Sequence, residues 1–249
     1  MEAITYIISI GAGAFYLLAS YRLLKLSHQT RERPEFWLGT YFAATGQWYL
    51  IYNAPYFFGY EELPPLLDHG IEWIYAIGVA AYALFVRCTF RPRSGWALIV
   101  VIVAALCSLA GATASSLEGA FSNAIDDPAY RIEWIGYTIP CVWTCVEGFI
   151  AHGAAQRRVR LELCDPIVAN RYLLFGSFGL CQIISCLADL FWAYTNTTDA
   201  SGAWLASGLL SAIEIASVAV LWLAFFPPRA YRRWIDARTA LRSAEAEGA

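Results

Sequence analysis

Long apolar stretches alternate with short polar breaks along the whole chain. A bilayer core of about 30 Å takes about 20 consecutive apolar residues in helical form. Stretches of that kind run approximately over Ile4–Leu26, Phe36–Phe58, Ile71–Phe90, Trp96–Ser115, Ile132–Ala155, Val168–Tyr194 and Ala203–Phe226. The pattern predicts an all-α polytopic membrane protein: a seven-helix transmembrane bundle over 1–228, then a basic, amphipathic juxtamembrane tail over 229–249. Leu63-Pro64-Pro65, Asp126-Asp127-Pro128, Asn196-Thr197-Thr198 and Pro227-Pro228 punctuate the breaks; proline cannot donate to the preceding turn. Trp37, Trp73, Trp96, Trp134, Tyr194 and Trp204 sit at stretch ends, as an aromatic belt at headgroup level requires. Pro140, inside the fifth stretch, is expected to kink it.

Charge gives the stretches a direction. Of the 17 basic residues, all but Arg131 gather at alternate breaks. They are Arg22, Lys25, Arg31 and Arg33; Arg87, Arg91 and Arg93; Arg157, Arg158, Arg160 and Arg171; then Arg229, Arg232, Arg233, Arg238 and Arg242. Positive-inside bias makes these breaks cytoplasmic, with the N-terminus outside and the C-terminus inside. Glu61, Glu62, Asp68, Glu72, Glu118, Asp126, Asp127, Glu133 and Asp199 fall at the opposite set. The expected location is a plasma (bacterial inner) membrane, crossed several times. Charged residues are only 15% of the chain, against roughly 25% in soluble domains. No basic region precedes Ile4, so no cleavable signal peptide is expected. None of the seven cysteines lies in an outer break, which removes an extracellular disulfide clamp.

Ionisable groups inside a span are costly and point to function. Glu214 falls near the middle of the seventh stretch, Glu147 in the inner half of the fifth and Asp189 in the outer part of the sixth. Arg87 reads as an inner anchor that snorkels. Helical spacing places Glu133, Tyr137, Thr144 and Glu147 on one face. Ser177, Cys181, Ser185 and Asp189 form a second stripe, Ser207, Ser211, Glu214 and Ser217 a third, and Tyr41, Thr45, Tyr52 and Tyr56 a fourth. Such stripes face the bundle interior or a water-filled cavity. Packing of small residues explains the serines equally well, and Glu214 fits either a structural hydrogen bond or ligand and proton binding. Toward the outside, Glu72, Glu133 and Asp189 neighbour Trp73, Tyr75, Trp134, Tyr137 and Trp192. Acids beside aromatic faces suit a cation, although an interfacial belt accounts for the same residues.

Several chemistries are disfavoured. His28, His69 and His152 are split between the two sides and cannot converge on one metal. No HExxH, paired CxxC, nucleophile elbow or P-loop is present. Neither a cofactor, a metal nor a nucleic-acid partner is expected, and the balance is against an enzyme. Seven-span retinal proteins need a lysine in the last span; the only lysine here is Lys25, so covalent retinal binding is rejected.

Ile71-Glu72-Trp73-Ile74 recurs as Ile132-Glu133-Trp134-Ile135 at the outer start of another span. This reads either as a duplicated helical pair or as two tryptophan anchors beside two interfacial acids. Cys164-Asp165-Pro166-Ile167-Val168-Ala169-Asn170-Arg171-Tyr172-Leu173-Leu174 and Phe225-Phe226-Pro227-Pro228-Arg229-Ala230-Tyr231-Arg232-Arg233-Trp234 resemble the seven-helix membrane regions of bacterial proteins, some of which precede cytoplasmic signalling domains. The resemblance covers about the last third of the chain and implies a sensor-like role; with no output domain before Ala249, a separate cytoplasmic partner would carry the signal. Two functions are therefore expected. One is a receptor whose outward-facing polar cavity between spans three, five, six and seven is lined by Glu72, Glu133, Asp189, Glu214 and Tyr137, enclosed by Trp73, Trp134 and Trp192, and takes a small ligand. The alternative is a small-solute or proton-coupled transporter with Glu147, Asp189 and Glu214 as a relay. The oligomeric state is left open.

Overall fold

A computed structural model of the chain describes residues 2–58, 64–118, 127–196, 200–235 and 237–238, without the side chains of 2–6, 53–58, 65, 118, 192, 195–196 and 200–208. Glu61, Glu62, Leu63, Asp126, Thr197, Thr198 and Asp199 lie outside the described residues, as does Leu241 of the tail. The described residues are helical and contain no strand. Long helices run over Glu2–Thr30 (α1), Arg33–Phe58 (α2), Pro65–Phe90 (α3), Gly95–Glu118 (α4), Pro128–Val159 (α5), Pro166–Asn196 (α6) and Ala200–Phe225 (α7). A short helix, Arg229–Ile235 (α8), follows α7 at a bend of 78°.

Local chemistry fixes the ends. Asp127 caps α5 by accepting from the Ala129 amide at 2.7 Å, and Asp165 does the same for Ile167 in α6 at 2.7 Å. Each is followed by a proline whose missing N–H costs nothing at a helix start. Arg31 turns the chain between α1 and α2 with φ of 59°, and its amide closes on the Ser27 carbonyl at 2.7 Å. The Asp127 cap lets α5 begin several residues before its apolar stretch, and α3 also begins early, at Pro65, with no side-chain cap. The helix is continuous through Pro140, where the Thr144 hydroxyl donates to the Pro140 carbonyl at 2.7 Å.

Among the described residues four helices are long and apolar enough to cross a membrane, Ile7–Thr30, Leu66–Phe90, Gly95–Leu117 and Pro166–Phe191, and Leu209–Phe225 with α8 makes a fifth if that bent pair is one span. The polar load of α2 (Arg33, Glu35, Gln47, Asn53) and of α5 (Arg131, Glu133, Glu147, Arg157, Arg158) dilutes their hydropathy. Ile77, Ile99, Leu106, Val146, Ile150 and Leu187 stand exposed between the bundle ends. An outer surface of this kind belongs in lipid.

Packing partners set the register. Tyr41 of α2 stacks on Tyr82 of α3 at 4.5 Å, whereas Trp48 bonds Glu72, so the two helices run antiparallel. Trp96 meets Trp143 while Gly111 meets Glu133, which makes α4 and α5 antiparallel too. The α5–α6 crossing is tightest: a Cβ on Gly148 would lie 2.5 Å from the Gly176 nitrogen, and one on Gly179 would lie 2.5 Å from that of Cys145. Each helix packs on the next in sequence; α1 also meets α7, and α3 also meets α5. The bundle is thus a ring pinched at α3–α5. Phe42, Tyr82, Val86, Cys141 and Phe178 lie in its core. One end carries Glu72 and Glu133, and the other carries the arginine-rich turns; these are called the acidic and basic ends below.

Candidate functional site

The pinch between α3 and α5 brings the two copies of the repeated tetrapeptide together. Tyr75 meets Tyr137 at 5.7 Å and Arg91 meets Glu147, so α3 and α5 run parallel, offset by about one helical pair. At that offset Glu72 and Glu133 face the same region. Both are buried, at 4% and 6% exposure, and their carboxyl groups are within Coulombic range of each other. Glu72 Oε1 accepts from Trp48 Nε1 at 3.2 Å. Both carboxyl oxygens of Glu133 are buried without a hydrogen-bond partner. Gly111 creates the room: any Cβ there would sit 2.5 Å from that of Glu133.

Aromatic rings floor this pair. Trp48 stacks on Tyr52 at 5.0 Å and leans on Tyr75 at 5.7 Å, and Tyr75 continues to Tyr137. Below them a polar belt crosses three helices. Tyr137 donates to Gln182 Oε1, and Gln182 Nε2 donates to Ser217 Oγ at 3.1 Å. In hydrocarbon such interhelical bonds fix partners because no water competes for them. The Tyr49 hydroxyl lies within electrostatic reach of Glu214, whose Oε2 stays buried and unpartnered. Tyr49 stacks on Tyr16 at 5.8 Å.

The residues expected to line one cavity are therefore divided. Glu72, Glu133 and Tyr137 come together with Trp48 and Tyr75. Glu214 lines instead a groove of about 490 Å³ between α1 and α7, shared with Ile8, Ala12 and Trp222. Asp189 is exposed on α6, within Coulombic range of Glu214 and Tyr130. Trp73 is exposed, and Trp134 ties α5 to α6 by donating to the Cys186 carbonyl at 3.1 Å. The side chain of Trp192 lies outside the described residues. Glu147 is held by Arg91, whose Nε donates to its Oε1 at 2.7 Å; its recorded partner is thus at the basic end.

Gln182 and Trp48 were not singled out by a search for ionisable groups. An amide inside the apolar run from Phe178 to Ile184 is the signal that marks Gln182. The interior face of α6 is Leu174, Phe178, Gln182 and Cys186; the Ser177–Cys181–Ser185 stripe lies one residue round and is half-buried. Chemically, two adjacent buried carboxyl groups with one neutral donor between them are short of donors and positive charge. Among the described residues no three His, Cys, Asp or Glu side chains group to hold a metal ion. No protein-family model, curated protein or solved structure matches the chain.

Proposed function

We propose that the chain is a seven-span integral membrane receptor, N-terminus outside and C-terminus inside, which binds a small cationic ligand at its outer, acidic end and signals to a separate cytoplasmic partner. The observation that carries this reading is Glu133, 94% buried by its 6% exposure, with both carboxyl oxygens unpartnered beside Glu72. A ligand ammonium would supply the missing charge and donors, and the Trp48, Tyr75 and Tyr137 rings would face it. Asp189, Trp73 and Trp134 would form the approach to this site, and Glu214 a separate polar group deeper in the bundle. The gathering of arginines at the opposite end supports the orientation. It also supports a bacterial inner-membrane location, with α8 lying along the cytoplasmic leaflet. The transporter alternative needs Glu147, Asp189 and Glu214 to exchange protons. The Arg91–Glu147 ion pair engages the first of these and favours the receptor.

Purified protein in nanodiscs is titrated with tetramethylammonium, choline and putrescine while its thermal unfolding is followed. At least one should raise the midpoint saturably. Glu133→Gln should weaken that response at least about thirtyfold, as expected for truncating one partner of a buried charge pair, and Glu214→Gln should leave it intact. A panel without effect on the wild type, or an unchanged response in Glu133→Gln, rejects the reading.

A further inference from the structure

The basic end holds a groove that the acidic-end site does not use. It has a volume of about 420 Å³ and lies where the α1–α2 turn meets the end of α3. Arg31 and Arg33 from the turn and Arg87 from α3 line it. Among the described residues none of these three guanidinium groups has an ion-pair partner within 4.0 Å. The Nε of Arg87 is buried with no hydrogen-bond partner at all. Arg33 and Arg87 both lie within Coulombic range of the Cys88 thiol, which also lines the groove.

Among the described residues Glu32 is the one acid that lines the groove. It offsets one of the three guanidinium charges and leaves the other two. The groove therefore has three cations, a buried donor with nothing to bond and a surplus of positive charge. Its remaining wall is apolar: Phe36, Trp37 and Leu84 continue from the arginines toward the middle of the bundle. Phe36 is 45% exposed on the outside of the helix bundle, where acyl chains would run.

We infer that this groove binds the phosphate headgroup of an anionic phospholipid, with Arg33 and Arg87 on the phosphate, Arg31 at the rim and the acyl chain along Phe36 and Leu84. Guanidinium groups suit phosphate because their forked donors match two oxygens at once. The apolar wall and the position at the arginine-rich membrane boundary favour a lipid over a free anion. In this role Arg87 is a ligand-binding group rather than an anchor that reaches past the headgroups.

Native mass spectrometry and thermal unfolding of the detergent-solubilised full chain test the assignment, with phosphatidylglycerol, phosphatidylcholine and inorganic phosphate as separate probes. Phosphatidylglycerol should be retained and should raise the unfolding midpoint, with phosphatidylcholine far weaker and inorganic phosphate inert at millimolar concentration. Arg87→Gln should raise the half-saturating phosphatidylglycerol concentration about tenfold or more, the loss of one charge-assisted hydrogen bond. Arg33→Gln, at an exposed position, should act in the same direction. Arg157→Gln with Arg158→Gln removes two exposed charges elsewhere at this end and should change nothing. Equal losses in that control would reduce the effect to general surface charge and overturn the site. An equal response to inorganic phosphate would overturn the lipid assignment, and so would unchanged lipid binding in Arg33→Gln.

Discussion

Replacing Gly148 by alanine puts a methyl group where the neighbouring helix already has its backbone. The added carbon would lie 2.5 Å from the Gly176 nitrogen and 2.6 Å from its Cα. Ordinary contacts between such atoms are about 3.5–4.0 Å, so α5 and α6 must part by about 1 Å. No side chain can yield there, because the obstructing atoms are main chain. Overpacking of this kind costs about 1–3 kcal/mol. Gly153, five residues along the same helix, has nothing within 4 Å of a Cβ position. Alanine at that point should stabilise the helix by about 0.5–1 kcal/mol. The two variants carry the same chemical change on one helix, so the helix-propensity gain cancels and their difference isolates the crossing, about 1–3 kcal/mol. Reversible unfolding in mixed micelles, titrated with a denaturing detergent, measures it. Gly148→Ala should also loosen the Tyr137–Gln182 bond, since both span the same helix pair. If Gly148→Ala and Gly153→Ala unfold alike, α5 and α6 are not in backbone contact and the register derived above is wrong.

Other outcomes follow from the same geometry. Tyr137→Phe removes the donor to Gln182 and should lower stability by about 0.5–2 kcal/mol, the range for interhelical bonds in lipid, as read by the same unfolding titration. Arg91→Gln and Glu147→Gln should each destabilise, but the double variant should lose less than their sum; a strictly additive cycle would show that the 2.7 Å pair is not formed in solution. Tyr231→Phe removes the acceptor of the Asn170 side chain, 2.9 Å away, and limited proteolysis should then cut near α8 sooner than in the wild type.

The helical character and the apolar stretches were readable because lipid imposes a single rule on every span. The repeated Ile-Glu-Trp-Ile held more than its four letters suggested, since its two glutamates are both buried and within Coulombic range of each other. Other contacts were out of reach. Glu147 shares a helical face with Glu133, yet its partner is Arg91, and finding that pair requires knowing that α3 packs beside α5. Periodicity identifies a face of α6 only to within one residue, about 100° of rotation. The stripe through Ser177, Cys181 and Ser185 thus passed over Gln182, one residue round. Arg87 illustrates a different limit: sequence gives its depth, whereas the empty hydrogen-bonding position on its Nε depends on the turn between α1 and α2.

The ring also has an order of manufacture. Among the described residues its broader interfaces join consecutive helices, with α3–α5 and α1–α7 besides. A ribosome adding about 5–20 residues per second delivers α2 to α1 within seconds, but α7 only about 10–40 s after α1. Through that interval the face of α1 that will meet α7, with Phe15 waiting for Trp222 and Arg22 for Phe226, is covered by lipid or by whatever else the insertion machinery holds there. Closure is then the final event of biogenesis and rests on a slim interface of few partners. A chaperone or a neighbouring subunit that occupied this face first would keep the newborn protein open, and the last helix would decide when it is finished.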